Sequence, residues 1–538
     1  MDQPEESTII KDPGSVRLKR ALISVANKTG IDELATALVK NNVEIIATQG
    51  TCDYLKSKDF PCEEISDFTG MPELMEGRVK TLHPKIHGGI LAQRDKNAHQ
   101  YALKSHDIKQ IDLVVVNLYP FVDVVAESDD EDKCLDNIDI GGLAMIRSAA
   151  KNYKHVAVLT APKDYQLVLK DLDIHEGAVT QSVRKRLAAN AFSLTATYDA
   201  NISSWFMGAS TDGDFPSRYS LSGTLENVLR YGENPQQQAA LYNNGDKAAG
   251  IVNGKQIQGQ ALSYNNILDA EAAFKIVSSF DLPRAVIVKH TNPCGVACGG
   301  SALEAYNNAL IYDPRSAYGG CMALNVPLDL ETARQIMNTY TQIIIAPSFE
   351  SDAVDFLSAH EKLSVIATGE MSRESAKGML VRSVSGGFLV QQSDDIFITA
   401  DDVEIVTERG PTEREMEDLI FAFNVCKFVS SNAIVYAKNK QTLGIGGGQT
   451  SRIDAARIAA EKAQNISVAL ELEHSILKNS VVASDGFFPF ADSLIAAADA
   501  GVTAVIQPGG SMRDEEVITA ADDRAIAMVF TKTRHFRH

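Results

Sequence analysis

The chain has 538 residues, of which 45% are hydrophobic and 22% are charged, and its formal net charge is −19. A chain of this length exceeds one ordinary hydrophobic core, so we expect two or three domains of a soluble globular protein. The acidic balance argues against a nucleic-acid-binding surface, which needs a clustered basic face. No apolar run approaches the roughly 20 residues that span a bilayer, so we expect no membrane partner.

The first twenty residues and the cysteines indicate the compartment. The opening stretch MDQPEESTIIKDPGSVRLKR is polar and lacks the apolar core of a signal peptide, so we interpret it as a short flexible leader. The seven cysteines are an odd and scattered set, which is typical of a reducing compartment. The sequence therefore predicts a cytoplasmic protein.

In the first half of the chain, short β-branched runs alternate with amphipathic helical stretches. The pattern predicts a strand at residues 20–26, a helix at 31–40 and strands at 43–48, 111–116 and 155–160. The acidic run at 127–133 predicts a solvated loop or a helix start. Strands that alternate with helices favour a mainly parallel sheet, with ligands at the carboxyl ends of its strands.

A segment dense in Gly, Ser, Asp and Pro separates the two halves. It covers residues 208–218 (GASTDGDFPSR) and has the composition of a linker, so we expect one domain at residues 1–218 and another at 219–538. The alternation then resumes, with predicted strands at 285–289, 343–346, 433–437 and 504–507 and predicted helices at 451–463 and 492–500.

Three loops after strands of the first domain carry small residues, hydroxyl groups or a cation beside a helix start. They read ANKTG at 26–30, TQGT at 48–51 and RVKTLHP at 78–84. Free N–H groups at a helix start, together with Thr hydroxyls and Lys, form a phosphate site. One such turn more often only caps its helix, but three in one domain favour phosphate binding.

Two further segments of the first domain carry reactive groups. Asn117 and Tyr119 follow an apolar strand in NLYPF, and Asp139 precedes a Gly-Gly pair that lets the backbone approach a ligand closely. Lys151 follows in the helical stretch AMIRSAAKN. The alternative interpretation makes Tyr119 a core residue, Asp139 a helix cap and Lys151 a surface charge, and composition leaves it open.

The second domain has a His at the end of a predicted strand. Lys289 and His290 open the segment KHTNPCG. A lone His is more often structural. A neighbouring Lys, however, disfavours the protonated imidazole by like-charge repulsion and keeps it in the neutral form that can accept a proton, which favours catalysis. Cys294 and Cys298 are separated by three residues and no His stands two residues before a Glu, so the zinc signature of deaminases is missing. We expect no catalytic zinc.

The other motifs of the second domain combine a Gly-rich loop with aromatic and cationic residues. They are LRYGENPQQ at 229–237, SNAIVYAKN at 431–439, GIGGGQTSR at 444–452, SDGFFPF at 484–490 and RHFRH at 534–538. A Gly-rich loop that ends in Ser-Arg before a helix predicts an anion or carboxylate site. Aromatic residues at such loops are mostly core residues, although they can also stack on flat heterocycles.

Taken in order, these motifs resemble one family. KTG, RVKTLHP, NLYPF, IDIGG and SAAKN are similar to the IMP cyclohydrolase half of the bifunctional purine-synthesis enzymes, which formylate AICAR (5-aminoimidazole-4-carboxamide ribonucleotide) and close the second ring to IMP. The second-domain motifs are similar to the AICAR transformylase half, and the match runs from about Arg20 to the last residue. The resemblance implies an α/β fold, with a methylglyoxal-synthase-like parallel-sheet domain before a transformylase region of cytidine-deaminase-like α/β subdomains.

For ring closure, the resemblance implies four catalytic residues. Tyr119 and Lys151 would relay protons and Asp139 would orient the carboxamide, and Lys80 would serve the same reaction, in which the oxygen that gathers negative charge needs fixed donors. The implied substrate-binding residues of this half are Ser24, Lys28, Thr48, Gly50, Thr51, Arg78, Thr81, Asn117, Gly141 and Gly142.

For formyl transfer, the resemblance implies His290 as the general base, Lys289 as the neighbour that tunes it, and Asn432 as the group that polarises the formyl carbonyl. The implied substrate-binding residues of this half are Arg230, Tyr231, Tyr318, Gly319, Arg452, Phe488 and Arg534. The formyl donor would be 10-formyltetrahydrofolate, without a catalytic metal, and use of a structural monovalent cation stays open. A homodimer with transformylase sites built from both subunits is also implied.

The chain departs from the family pattern at several loop positions. They are Ala26 and Gln49 in the nucleotide loops and Gln236, Tyr318 and Gln342 in the second half. Two other hypotheses remain. The first domain could be a non-catalytic effector-binding module, which the retained catalytic residues argue against. The second half could be a metal-dependent deaminase, which its missing ligands argue against.

Overall fold

The computed structural model describes residues 14–208, 215–280, 283–373 and 378–538. The chain divides into two compact units, the first ending at Thr224 and the second beginning at Leu225. The middle of the predicted linker, at 209–214, lies outside the described residues. The domain limits 1–218 and 219–538 stay a prediction.

The first unit alternates strands with helices, and its predicted strands and helix are confirmed to within two residues at each end. Its strands are β1 (Val16–Arg17), β2 (Arg20–Val25), β3 (Glu44–Ala47), β4 (Glu63–Glu64), β5 (Leu113–Asn117), β6 (Ala157–Leu159) and β7 (Ala178–Val179). Its helices are α1 (Ile31–Lys40), α2 (Gln49–Ser57), α3 (Ile65–Thr69), α4 (Pro84–Leu91), α5 (Asn97–Ser105), α6 (Phe121–Glu127), α7 (Glu131–Asp136), α8 (Gly141–Lys151), α9 (Tyr165–Ile174) and α10 (Gln181–Gly208). The acidic run at 127–133 covers the end of α6 and the start of α7, as predicted.

The main sheet of the first unit is parallel and runs in the order β4-β3-β2-β5-β6. The interior strand β5 is an apolar run, as expected where helices cover both faces of a parallel sheet, and its four apolar residues are all buried. The edge strand β4 consists of two glutamates. The chain proceeds from β2 outward through β3 to β4, and then continues on the other side of β2 with β5 and β6. This reversal is a topological switch point, where the carboxyl ends of β2 and β5 open a crevice.

The start of the described chain is ordered. Val16–Arg17 pairs with Ala178–Val179 in an antiparallel ladder, and the buried Arg184 donates a hydrogen bond to the Gly14 carbonyl at 2.7 Å. The prediction of a flexible leader is therefore wrong for residues 14–20, because backbone pairing and a buried cation fix them. Residues 1–13 of the predicted leader lie outside the described residues.

The second unit is a larger α/β assembly. Its strands are β8 (Thr224–Leu229), β9 (Ala239–Asn243), β10 (Lys255–Gln258), β11 (Arg284–Lys289), β12 (Asn292–Cys298), β13 (Gly320–Leu324), β14 (Thr341–Ala346), β15 (Ser364–Ala367), β16 (Met379–Val384), β17 (Gly387–Gln392), β18 (Glu404–Ile405), β19 (Ile434–Lys438), β20 (Gln441–Gly446), β21 (Ser480–Ser484), β22 (Val502–Gln507) and β23 (Ala527–Phe530). Its helices are α11 (Tyr264–Ser278), α12 (Ala302–Leu310), α13 (Pro314–Ala317), α14 (Leu330–Ile336), α15 (Ser351–Leu357), α16 (Glu413–Cys426), α17 (Arg452–Ala469), α18 (Asp492–Asp499) and α19 (Asp514–Asp522).

A mixed sheet in the order β10-β15-β14-β13-β11-β12-β20-β19-β21-β22-β23-β18 organises this unit. The order contains a duplication. In the first half, the hairpin β11–β12 pairs antiparallel with β13, β13 to β15 are parallel, and β10 pairs antiparallel at the edge. In the second half, the hairpin β19–β20 pairs antiparallel with β21, β21 to β23 are parallel, and β18 pairs antiparallel at the edge. The two hairpins meet side by side through β12 and β20. The hairpin β16–β17 and the pair β8–β9 form separate two-stranded sheets.

Among the described residues, no helix combines the length and the apolar character that crossing a bilayer requires.

Candidate active sites

A cleft of about 760 Å³ opens at the carboxyl ends of β2, β3 and β5 in the first unit. Every site residue that the sequence predicted for this half lines it, with the exception of Lys151. These residues are Ser24, Lys28, Thr48, Gly50, Thr51, Arg78, Lys80, Thr81, Asn117, Tyr119, Asp139, Gly141 and Gly142. The residues at the ends of β2, β3 and β5 meet because parallel strands deliver their following loops to the same edge of the sheet. The loop 78–84 was predicted to follow a strand, but it lies between α3 and α4, and Asp139 comes from the segment between α7 and α8.

Asn117, at the end of β5, ties together the two loops of the switch point. Its Oδ1 accepts the backbone N–H groups of Ala26 and Asn27, at 2.6 and 3.0 Å, and its Nδ2 donates to the Asn27 carbonyl at 2.9 Å. Both acceptor positions of Oδ1 and one of the two Nδ2 donors are thus used within the protein. Asn117 therefore shapes the cleft wall, and the cleft cations remain available to a ligand.

A cation and a helix start form one end of the cleft. Lys28 Nζ lies 3.3 Å from the buried Thr51 hydroxyl and also donates to the Val25 carbonyl. Partial burial lowers the pKa of Lys28. Thr51 lies in the first turn of α2, where its own N–H donates to the Thr48 carbonyl at 2.9 Å and the N–H groups of Gln49 and Gly50 precede the first helical acceptor. This end of the cleft combines a positive charge, hydroxyls and N–H donors, which suits a phosphate group.

The acid of the site, Asp139, lies at the other helix start. Its Oδ1 accepts the N–H of Gly142 at 2.7 Å, and its own N–H donates to the buried hydroxyl of Tyr198 at 2.9 Å. Burial raises the pKa of Asp139, while the Gly142 N–H and the Lys80 charge act in the opposite direction. The carboxyl group is therefore held in a fixed orientation and close to a cation.

The two glycines at the start of α8 are needed for close approach. A Cβ at Gly141 would lie 2.3 Å from the Thr81 hydroxyl, and one at Gly142 would lie 2.5 Å from Asp139 Oδ2. Both distances are shorter than any ordinary carbon–oxygen contact. The Gly-Gly pair thus allows the helix start, the acid and the Thr81 loop to meet.

The remaining cleft residues provide accessible polar groups. Lys80 Nζ lies 3.2 Å from the Glu73 carboxylate, and Arg78 pairs with Asp136 while its side chain is 74% exposed. Tyr119 is 45% exposed. These groups face solvent, so a nucleotide can replace their present partners or add to them.

Lys151 does not line this cleft, in contrast to its predicted place in the proton relay. It is the last residue of α8, whereas Gly141 is the first. A helix rises about 1.5 Å per residue, so the two backbone positions lie about 15 Å apart along the axis. Of the four predicted ring-closure residues, the cleft therefore brings together Lys80, Tyr119 and Asp139.

In the second unit, His290 lies in the two-residue turn between β11 and β12. Lys289 and Asn292 are the last paired residues, and His290 and Thr291 form the turn, with φ values of 51° and 62°. Lys289 Nζ donates to the Tyr318 carbonyl at 2.7 Å, while His290 is exposed. The predicted Lys-His pair therefore stands at a strand end, with its imidazole accessible.

The C-terminal segment connects this turn to the loop of Asn432. Arg537 donates from Nη1 to the Thr291 carbonyl at 3.1 Å, and its own carbonyl accepts the N–H of Ser431 at 2.9 Å. Asn292 Oδ1 accepts the Ser430 N–H at 2.9 Å. Burial lowers the pKa of Arg537. His290 and Asn432 thus lie on loops that the same residues hold together.

Arg452 is engaged inside the protein rather than open to an anion. Its Nε donates to Ser484 Oγ and its Nη2 to Asp485 Oδ1, each at 2.7 Å. Asp485 has no exposed surface and also accepts from the Ser431 hydroxyl. Two donors of Arg452, which was predicted to bind substrate, are thus used within the protein, one by Ser484 and one by the buried carboxylate of Asp485.

Phe488, predicted to stack on a ligand, packs in the core instead. Only 1% of it is exposed, and it belongs to a buried cluster with Leu494 and Val505. The preceding ring, Phe487, is 41% exposed. The sequence motif SDGFFPF indicates aromatic rings at the loop, but the side each ring faces depends on the packing of β21 and β22.

The other predicted residues of this half are accessible. Tyr318 is 61% exposed and packs against Tyr340, with ring centroids 5.3 Å apart, and Gly319 follows it with φ 72°. Arg230 lies over Tyr231, and Arg534 lies over Phe536. The described contacts link Tyr318 to Lys289, but none links Arg230 or Arg534 to the His290 turn.

Sequence reasoning missed several residues that hold the two sites. They are Tyr198 in the first unit and Asp269, Asp485 and Arg537 in the second. Asp485 and Arg537 lie within quoted motifs, SDGFFPF and RHFRH, so their motifs gave a signal. Nothing in the sequence around Tyr198 or Asp269 indicates a site, because their partners lie far away along the chain.

In the described part of the chain, no group of three His, Cys, Asp or Glu side chains could hold a metal ion.

The fold and the two constellations define a class of protein. A cleft that presents two lysines and an arginine at the switch point of a parallel sheet, together with a second unit that presents His290, is the architecture of a two-site α/β enzyme for anionic small molecules.

Comparison with known proteins identifies the family. Residues 30–144 match the MGS-like domain, and residues 149–462 match the AICARFT/IMPCHase bienzyme family. The bifunctional purine biosynthesis protein PurH of Rhodospirillum rubrum is 50% identical over 524 residues, which cover 97% of this chain and 99% of that protein. The proteins of the same name from Bradyrhizobium diazoefficiens and Brucella ovis are also 50% identical, over 97% and 98% of this chain and 99% of each relative. The chain belongs to the AICARFT/IMPCHase bienzyme family, and it is an enzyme with AICAR transformylase and IMP cyclohydrolase activities.

Proposed function

We propose that the chain carries out the last two steps of IMP synthesis at these two sites. AICAR receives a formyl group from 10-formyltetrahydrofolate in the second unit, and the product closes to IMP in the first. The observation that carries the proposal is the cleft of the first unit, where the predicted nucleotide-binding residues and three of the four predicted ring-closure residues meet.

In the ring closure, the carboxamide nitrogen attacks the formamido carbon and water leaves. The phosphate binds near Lys28 and the start of α2, which provide a cation and N–H donors. Asp139, held by the Gly142 N–H, accepts a hydrogen bond from the carboxamide and orients its nitrogen. Lys80 stabilises the oxygen that gains negative charge, and Tyr119 transfers protons at the open side of the cleft.

In the formyl transfer, the AICAR amine attacks the formyl carbon and the bond from that carbon to N10 of the folate breaks. His290 takes the proton that the amine loses, since its imidazole is exposed at the end of the β11–β12 hairpin. Asn432 donates a hydrogen bond to the formyl oxygen, on which negative charge develops. Ring closure to an aromatic purine then draws the unfavourable transfer forward.

Two features support a cytoplasmic location and a homodimer. All seven cysteines are free thiols, which supports a reducing compartment, the cytoplasm. The hairpin β16–β17 exposes apolar side chains, with Leu380 at 43% and Leu389 at 61%. An isolated hairpin is at best marginally stable, so this surface supports a homodimer in which a second copy covers it. Sedimentation equilibrium tests the dimer, and a monomer at micromolar concentration would refute it.

The test of both sites uses purified protein and a His290→Ala variant. We expect the wild type to convert AICAR and 10-formyltetrahydrofolate to tetrahydrofolate and IMP, followed by absorbance and mass analysis. The variant loses formyl transfer by about 10²- to 10⁴-fold, the usual contribution of a general base. It still closes the ring of added formylated intermediate. If the wild type forms only the formylated intermediate, the first unit is a binding module.

A further inference from the structure

The turn that carries His290 has a strained backbone. A two-residue hairpin turn with positive φ at both central positions normally contains Asn and Gly, whereas this turn contains His290 and Thr291. A β-branched residue in the left-handed region, such as Thr291 at φ 62°, is a rare exception. Such a conformation persists only where the surrounding structure holds it.

Asp269, on α11, holds this turn from the helix side. Its Oδ1 accepts the N–H of Thr291 at 2.7 Å, and the N–H of His290 faces the same carboxylate. Burial raises the pKa of Asp269, while these N–H groups and the charges of His290 and Lys289 act in the opposite direction. The carboxylate therefore lies half-buried against the backbone of the turn, within electrostatic range of the His290 imidazole.

The other half of the duplication contains the same arrangement of a helix carboxylate and a hairpin turn. In the β19–β20 hairpin, Asn439 and Lys440 form the turn, with φ values of 56° and 54°. Asp418, on α16, accepts the N–H groups of both residues at 2.9 and 2.7 Å. Helix α16 precedes its hairpin as α11 precedes β11–β12, so the two carboxylates occupy equivalent places. A helix carboxylate thus holds the hairpin turn in both halves, but only the β11–β12 turn carries an imidazole.

We propose that Asp269 is a positioning residue for formyl transfer, which fixes the His290 turn and provides a negative charge beside the imidazole as it accepts a proton. This inference rests on the proposed role of His290. Asp269 acts through the turn and through the charge of the imidazole, and it does not contact the substrate. Its equivalent Asp418 has only the structural half of this role, and Asp418→Asn is therefore a matched control.

The experiment compares Asp269→Asn, Asp269→Ala and Asp418→Asn in the full-length enzyme, alone and combined with His290→Ala. Asn keeps an acceptor for the N–H groups and removes the charge, whereas Ala removes both. We expect kcat of formyl transfer to fall about tenfold in Asp269→Asn and about 10²-fold in Asp269→Ala, the cost of misplacing a catalytic group by 1 Å. KM for AICAR changes less than twofold, and ring closure keeps its wild-type rate.

The comparison of kcat with KM separates positioning from mere stability. In Asp269→Asn the loss falls on kcat alone, because the turn keeps an acceptor for its N–H groups and only the negative charge is removed. Asp418→Asn leaves kcat unchanged, and added to His290→Ala, the Asp269 substitutions cause no further loss. If Asp269→Asn and Asp418→Asn behave alike, or if the losses of Asp269 and His290 multiply, the inference is wrong. If His290→Ala transfers formyl groups at the wild-type rate, the role of His290 itself is rejected.

Discussion

Replacing Gly142 by Ala tests whether the Asp139 carboxylate must remain at the start of α8. In the wild type, the Gly142 N–H donates to Asp139 Oδ1 at 2.7 Å. The new methyl carbon would lie 2.5 Å from Oδ2 and 2.9 Å from Oδ1 and the carboxyl carbon. Ordinary contacts of this kind need roughly 3.5 Å, so the carboxylate has to move by about 1 Å.

The displacement breaks the hydrogen bond that orients the acid. A hydrogen bond to a charged group contributes about 1.5–3 kcal/mol, and each 1.4 kcal/mol is a factor of ten, so ring closure falls about 10- to 100-fold. Stability changes less, because Ala in a helix gains back about 0.5–1 kcal/mol relative to Gly. The Gly142→Ala variant is therefore expected to be folded but slow.

The assay follows IMP formation from purified formylated intermediate. Trp205 is the only tryptophan of the chain and packs on Phe121 in the first unit, so its fluorescence reports folding of that unit. Gly208→Ala is the matched control, since a Cβ there meets nothing within 4 Å. Formyl transfer should be unchanged in both variants. Wild-type ring closure by a folded Gly142→Ala variant would refute the role of the fixed carboxylate.

Two more predictions follow from buried charges. Burial raises the pKa of Asp139 in the folded state, so its ionisation favours unfolding as pH rises above the pKa of the unfolded chain. Asp139→Asn should therefore raise the urea midpoint of unfolding, followed by Trp205 fluorescence, at pH 7, and this gain should vanish near pH 3. The variant should also lose ring closure. A midpoint below that of the wild type at pH 7 would contradict this. Arg452→Met leaves the fully buried Asp485 without its cation, which costs about 3–5 kcal/mol. The urea midpoint for unfolding of the second unit, followed by circular dichroism, should fall, whereas the midpoint followed by Trp205 fluorescence should not change. An unchanged dichroism midpoint would show that Asp485 finds another partner.

Much of the first unit could be predicted from its sequence. The apolar run of β5 indicates a strand because parallel strands are buried on both faces. The loops after β2, β3 and β5 could be assigned to one cleft for the same geometric reason, since parallel strands end at a common edge. Lys28 and Thr51 could therefore be placed together from the strand pattern, whereas Asp139, between α7 and α8, was assigned through the family resemblance.

The second unit was less predictable, because its site depends on contacts between distant segments. His290 could be placed at a strand end, but its partner Asp269 comes from a helix on the other side of the turn. The duplication of six strands leaves no short-period repeat in the sequence, because the two halves share a pairing pattern rather than a motif. Motif order identified the loops of this unit but not how they are held.

The sequence by itself determined the alternation of strands and helices, the loops that carry the site residues and, through its ordered motifs, the family. These are local properties, written in hydrophobic periodicity and in residue types at strand ends. Only the tertiary structure decided that Phe487 rather than Phe488 is exposed, that Arg452 is taken up by Asp485, and that Lys151 lies away from the cleft. The reason is physical, since exposure, ion pairing and distance depend on which elements pack together.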